Sequence, residues 1–257
     1  MIRLSGPGVH AMRCTFLPLL LLVLMLAAHV TLAADDGAPA PATPPESEPS
    51  LGDGDPEASC AREAAQAIQT RYDDVRDITA RFEQTTRSVM LGQATLGEAA
   101  PYRGVVVFAK PGRMRWSYEE PERSTMVTDG KTLWLYDESA AEVQRLPVEA
   151  EYLTGAALQF LLGDGVLLEE FEVSAKRCGD DTVELLLVPR KESSYLSLGL
   201  EARTQSHEIV ATTVEDLFGN VTHIAFSDLQ LNTDPAPATF LFVVPDGVGV
   251  IDLVPPP

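Results

Sequence analysis

The sequence predicts an α+β protein that is mainly one antiparallel β-meander. Three observations carry this. Apolar and polar residues alternate with period two in about eleven short stretches. Turn signals such as Pro111-Gly112, Asp129-Gly130 and Gly219-Asn220 separate those stretches. Only two segments show the three- and four-residue apolar spacing of a helix. Short turns imply that consecutive strands pair antiparallel. A sheet this long is expected to curl, split or close into a barrel.

The elements follow in order. Arg3 and Arg13 precede an apolar run from Cys14 to Ala28, and Thr31, Ala33 and Ala34 form a small-residue exit before Asp35. This matches a secretory signal over residues 1–34, cleaved after Ala33 or Ala34. The apolar run is short of the ~20 residues a membrane span needs. Residues 35–56 are acidic and rich in Pro and Ala. They cannot bury enough apolar surface to offset their ordering entropy, so a disordered spacer is expected. Residues 57–257 then form one domain.

That domain opens with a helix over Glu57–Val75, whose Ala61, Ala64, Ala65, Ile68 and Tyr72 share a face. Strands follow over 77–89, 104–110, 113–120, 124–128, 132–137 and 142–147. A second helix is expected at Thr154–Leu162, closed by Gly163. Further strands follow near 171–177, 182–189, 195–202, 207–216, 220–231 and 238–244.

Composition narrows the function. Hydrophobic residues make up 45% and charged residues 22%, enough for a sizeable core. The formal charge is −19, and loss of Arg3 and Arg13 with the signal would make it −21. A chain this acidic is not expected to bind nucleic acid or to dock on anionic lipid through a basic patch. Of three cysteines, Cys60 and Cys178 survive cleavage. In an oxidising compartment they are either joined or two free thiols.

No catalytic motif emerges. There is no Gly-x-Ser-x-Gly. Gly130-Lys131-Thr132 lacks the leading glycine of a P-loop, because Thr125 stands there. His207 and His223 have no partner at ligand spacing. Glu119-Glu120 reads as a solvated strand end. No enzyme activity, cofactor or metal is expected.

The strands are unusually apolar and aromatic. Met114, Trp116 and Tyr118 alternate with Arg113, Arg115 and Ser117. On the strand 132–137, Trp134 and Tyr136 face one way and Leu133 and Leu135 the other. A strand apolar on both faces needs cover on both. The cover is either helix and side-chain core, as in a sandwich, or a ligand inside a curled sheet.

Two motifs resemble the outer-membrane lipoprotein carrier protein family LolA. One is Lys110-Pro111-Gly112-Arg113-Met114-Arg115-Trp116-Ser117-Tyr118. The other is Val127-Thr128-Asp129-Gly130-Lys131-Thr132-Leu133-Trp134-Leu135-Tyr136-Asp137. The stretch Thr154–Gly163 resembles the family's apolar helix. Phe218-Gly219-Asn220, Phe226, Asn232, Phe240-Leu241-Phe242 and Pro245-Asp246-Gly247-Val248 resemble its closing hairpin and tail.

The resemblance implies an incomplete, half-open antiparallel β-barrel with helices over its open side. It implies a monomeric periplasmic chaperone for the acyl chains of lipoproteins. An ATP-driven inner-membrane release complex would load it, and an outer-membrane acceptor or the membrane itself would receive the cargo. Met114, Trp116, Tyr118, Leu133 and Leu135 would line the cavity. Leu158, Phe160, Leu161 and Leu162 would form the helical lid, and Lys110 would stand at the mouth, where many members carry Arg. The alternative is a related periplasmic module for another amphiphile, such as free lipid or glycolipid.

Overall fold

A computed structural model describes residues 56–89, 100–148 and 165–253. The expected signal, residues 35–55 of the expected spacer and the expected helix carrying Leu158, Phe160, Leu161 and Leu162 lie outside these residues; Pro56, read as spacer, is helical instead. The first element is helix α1 (Pro56–Asp73), which buries Ala61, Ala65, Ile68 and Tyr72, the stripe expected from the spacing.

Twelve strands follow, with a short helix among them. They are β1 (Asp77–Arg87), β2 (Tyr102–Ala109), β3 (Arg113–Glu120), β4 (Ser124–Thr128), β5 (Thr132–Asp137) and β6 (Glu142–Pro147). After helix α2 (Leu167–Glu170) come β7 (Phe171–Cys178), β8 (Thr182–Pro189), β9 (Tyr195–Arg203), β10 (Ile209–Asp216), β11 (Val221–Leu231) and β12 (Gly249–Asp252).

All twelve belong to one sheet, ordered β12-β6-β5-β4-β3-β2-β1-β11-β10-β9-β8-β7. Two meanders, β1 to β6 and β7 to β11, are joined where β1 pairs antiparallel with β11. The terminal strands β12 and β7 are not paired with each other, so the barrel is unclosed. The mainly antiparallel, open architecture is the one expected.

The register aligns the apolar positions into a single face. Ile78 lies opposite Phe108, and Phe108 opposite Met114; Ala80 lies opposite Val106, and Val106 opposite Trp116. The row continues through Met126 and Leu135 on one side. On the other, Phe82 faces Phe226, and Leu200 stands between Thr212 and Leu185. We call this the inner face. Helix α1 packs on β7 and β8 and is tied to β7 by a disulfide between Cys60 and Cys178, with Cα atoms 6.6 Å apart.

The last segment departs from expectation. Residues 238–244, read as a strand, begin as a 3-10 turn (Pro237–Phe240) and continue without joining the ladder. Pro235, Pro237 and Pro245 have no amide hydrogen to give to a sheet. The segment instead lays Phe240 and Phe242 on the outer face of β3 and β5. Phe242 stacks 5.5 Å from Trp134, and the Arg113 guanidinium sits 5.0 Å over Phe240. The chain then adds β12 parallel to β6. The turn at Phe218-Gly219-Asn220 joins β10 and β11 in a hairpin, while the tail, not a helix, covers the second apolar face of β5.

Asp77 anchors the start of this crossover. Its carboxylate, 5% exposed, accepts from Thr233 N at 2.6 Å, Thr233 Oγ1 at 2.9 Å and Asp234 N at 3.1 Å. Asn232 and Asp234 take left-handed conformations, which Asn and Asp tolerate. Asp77→Ala leaves those donors unpaired and should lower the unfolding free energy by about 2–3 kcal/mol. Urea unfolding midpoints check this. An unchanged midpoint would mean that the clamp contributes nothing.

Candidate functional site

Strand β3 supplies the centre of the inner face. Met114, Trp116 and Tyr118 are 1%, 9% and 9% exposed, and the alternate residues Arg113, Arg115 and Ser117 face outward. The β-strand period alone places them so. Leu133 is buried beside them on β5, and Leu135, on the same side, is half-buried.

Aromatic rings fill the centre. Phe82 lies 4.9 Å from Trp116 and 5.1 Å from Tyr118, and Phe108 lies 5.8 Å from Trp116. Gly104 makes this possible. It stands between Phe82 and Tyr118 in the register, and a Cβ there would collide with the Ser117 carbonyl oxygen and crowd the Phe82 ring. The missing side chain lets two rings from non-adjacent strands meet across β2.

Few polar atoms interrupt this face. Tyr118 donates its hydroxyl to Gln84 Oε1 at 2.9 Å. Burial, with a smaller contribution from Tyr102, pushes the Tyr118 hydroxyl well above the ordinary phenol range. It therefore stays a neutral donor at any physiological pH. Gln84 was not singled out from sequence. It shares the inward parity of Ile78, Ala80 and Phe82, and a polar residue at that parity was the available signal. Trp116 Nε1 and Gln144 Oε1 are buried without a hydrogen-bond partner among the described residues. Such a group costs about 1–3 kcal/mol.

A small apolar pocket opens beside the cluster, lined by Tyr72, Ile78, Ala80, Val106, Phe108, Ile209, Phe226 and Leu229. Its volume is about 10 Å³, room for one water. Ligand pockets measure roughly 300–1,000 Å³. This pocket alone is far too small for an acyl chain.

Lys110 lies next to this pocket. Its Nζ donates to the Tyr72 carbonyl at 2.8 Å, in the last turn of α1. A cation there complements the helix dipole. The C-terminal end of α1 is held a second time by Ile209 N, which donates to the Tyr72 hydroxyl at 3.1 Å.

The acidic pairs noted in the sequence are solvated. Arg81 pairs with Glu119 at 3.2 Å and Arg103 with Glu120 at 3.6 Å, all about half exposed. Among the described residues, no group of three or more His, Cys, Asp or Glu side chains is placed to hold a metal. No helix among them is long and apolar enough to cross a membrane.

Comparison with known proteins agrees with the two motifs. The family described as "Outer membrane lipoprotein carrier protein LolA" matches residues 73–243. An outer-membrane lipoprotein carrier protein of Chromobacterium violaceum is 29% identical over 176 residues, 68% of this chain and 81% of its own. The protein of that description from Neisseria meningitidis serogroup B is 26% identical over 197 residues, 76% of this chain and 89% of its own. That of Nitrosomonas europaea is 31% identical over 150 residues, 58% of this chain and 71% of its own. Among solved structures, a putative outer membrane lipoprotein-sorting protein domain from Vibrio parahaemolyticus aligns with a TM-score of 0.42 at 14% identity, over 71% of this chain and 97% of its own.

Proposed function

Because the chain belongs to the LolA family of outer-membrane lipoprotein carrier proteins, which are chaperones and not enzymes, we propose that it shields the acyl chains of lipoproteins on its inner face while they cross the periplasm. The observation that carries this reading is the apolar face itself. It runs from Leu133 on β5 through Trp116 and Phe108 to Leu185 on β8, with Thr128, Gln84 and Thr212 among its few polar side chains. Exposing lipid to water costs about 0.8 kcal/mol per CH₂, so three acyl chains cost on the order of 30 kcal/mol. Free diffusion of such cargo is forbidden, and a soluble apolar face removes the obstacle.

Met114, Trp116, Tyr118, Leu133 and Leu135 form the floor of this site. Leu158, Phe160, Leu161 and Leu162 form its lid. Lys110, through its bond to the end of α1, sets how that helix borders the pocket. An ATP-driven inner-membrane complex loads the carrier, whose Gly130-Lys131-Thr132 lacks the leading glycine of a P-loop. Delivery goes to an outer-membrane acceptor or to the membrane directly. Residues 1–34 direct export and are removed, and residues 35–55 are an acidic spacer ahead of a monomeric domain.

The test uses the purified mature chain and a fluorescent triacylated lipopeptide. Saturable one-to-one binding is expected, with none for the deacylated peptide. Equal binding of both peptides would overturn the reading. Preferential binding of free fatty acid or glycolipid would favour a module for another amphiphile.

A further inference from the structure

The inner face holds a donor with no use in the folded core. Trp116 Nε1 is buried and has no acceptor among the described residues. The rings around it belong to Phe82, Phe108 and Tyr118, and its cross-strand neighbours are Val106 and Met126. Of these only Tyr118 carries a polar atom, and its hydroxyl is committed to Gln84. A purely apolar slot has no use for an indole. Phenylalanine would fill the cluster with no orphaned N–H, and burying one unmatched opposes folding.

A second orphan lies in the same cross-strand row. Trp116 faces Met126, Met126 faces Leu135, and Leu135 faces Gln144, all on the inner face. Gln144 Oε1 is the unmatched acceptor, while its amide nitrogen donates to Glu142 at 3.0 Å. The row therefore presents a donor at one end, an acceptor at the other and two apolar side chains between them. Hydrocarbon alone satisfies neither end. Acyl chains attached through ester and amide groups satisfy both, because their carbonyls accept and the amide N–H donates.

We propose that Trp116 and Gln144 read the linkages of the cargo's lipid anchor: Trp116 Nε1 donates to an acyl carbonyl and Gln144 Oε1 accepts from the amide N–H. This rests on the carrier reading and adds to it a specificity for linked acyl groups over plain hydrocarbon. Binding then fixes the depth of the anchor on the face, which apolar contact alone leaves free to slide. Binding excludes water from the face, which strengthens these bonds.

The experiment compares two fluorescent lipopeptides of equal chain length, one ester-linked and one ether-linked, whose ether oxygens are poor acceptors. Wild type should bind the ester probe about tenfold more tightly, the scale of one buried hydrogen bond. Trp116→Phe should erase that preference by weakening the ester probe alone, with a melting temperature equal to or above that of wild type. Gln144→Leu should weaken an N-acylated probe severalfold and leave its N-methylated analogue unchanged. Retention of the ester preference by Trp116→Phe would overturn the proposal. So would equal weakening of both probes, which assigns the indole to packing. Tight, equal binding of both probes by wild type sinks this proposal alone. Binding of neither sinks the carrier reading with it.

Discussion

Removing the Cys60–Cys178 bond, by reduction or by the double change Cys60→Ser and Cys178→Ser, should lower the unfolding free energy by about 5 kcal/mol. The bond closes a loop over a sequence separation of 118 residues. A loop of that length removes about this much chain entropy from the unfolded state. The Cα separation of 6.6 Å lies within the range that disulfides span. The packing of α1 makes the bond decisive. Two of the four residues on its buried stripe are alanines, Ala61 and Ala65, which bury little area. Its C-terminal end is held by the Lys110 and Ile209 bonds to Tyr72, but its N-terminal half depends on the disulfide. For a domain of about 200 residues, this amounts to a fall in melting temperature of roughly 10–20 °C. Thermal unfolding with and without reductant measures it. A fall of less than about 3 °C would mean that side-chain packing alone holds the helix.

Met114→Glu should abolish lipopeptide binding and lower stability by about 3–5 kcal/mol at pH 7, the scale of an uncompensated buried charge. Met114 is 1% exposed and lies between Phe108 and Thr128 in the register. Thr128 Oγ1 accepts from Gly130 N and keeps one O–H to donate, but a hydroxyl carries no charge and does not neutralise a carboxylate. Desolvation raises the pKa of such a glutamate in the folded state above its unfolded value of about 4.3. The folded state then prefers the protonated form. The charge penalty is absent below about pH 4.3, grows as pH rises from there, and is complete above the raised folded value. Stability of the variant should therefore recover toward acid while that of Met114→Leu stays within about 1.5 kcal/mol of wild type throughout. Binding is measured at low temperature, where circular dichroism shows the variant folded. Normal lipopeptide binding by folded Met114→Glu would show that the inner face is not the cargo surface.

The inward parity of Met114, Trp116 and Tyr118 was readable because a strand alternates sides whatever it pairs with. The two-sided apolarity of β5 was readable for the same reason, and it announced a second covering layer. What formed that layer was not readable. Phe240 and Phe242 looked like strand residues, yet nearby prolines remove them from the ladder and leave side-chain stacking on Trp134 and Arg113 as their role. Of the expected site residues, those on β3 and β5 come together on one face. Lys110 lies beside it, against α1.

The sequence by itself determined the local geometry: helix α1, eleven of the twelve strands, the hairpin turns and the faces on which the aromatic residues lie. These follow from spacing within a few residues, where backbone sterics and side-chain period act alone. The tertiary structure decided the rest. It paired β1 with β11, set β12 parallel to β6, brought Gln84 to Tyr118 across 34 positions and left Trp116 Nε1 without a partner among the described residues. Each of these depends on groups distant in sequence. Which of them meet is fixed by the arrangement that buries the most apolar surface while satisfying the backbone hydrogen bonds.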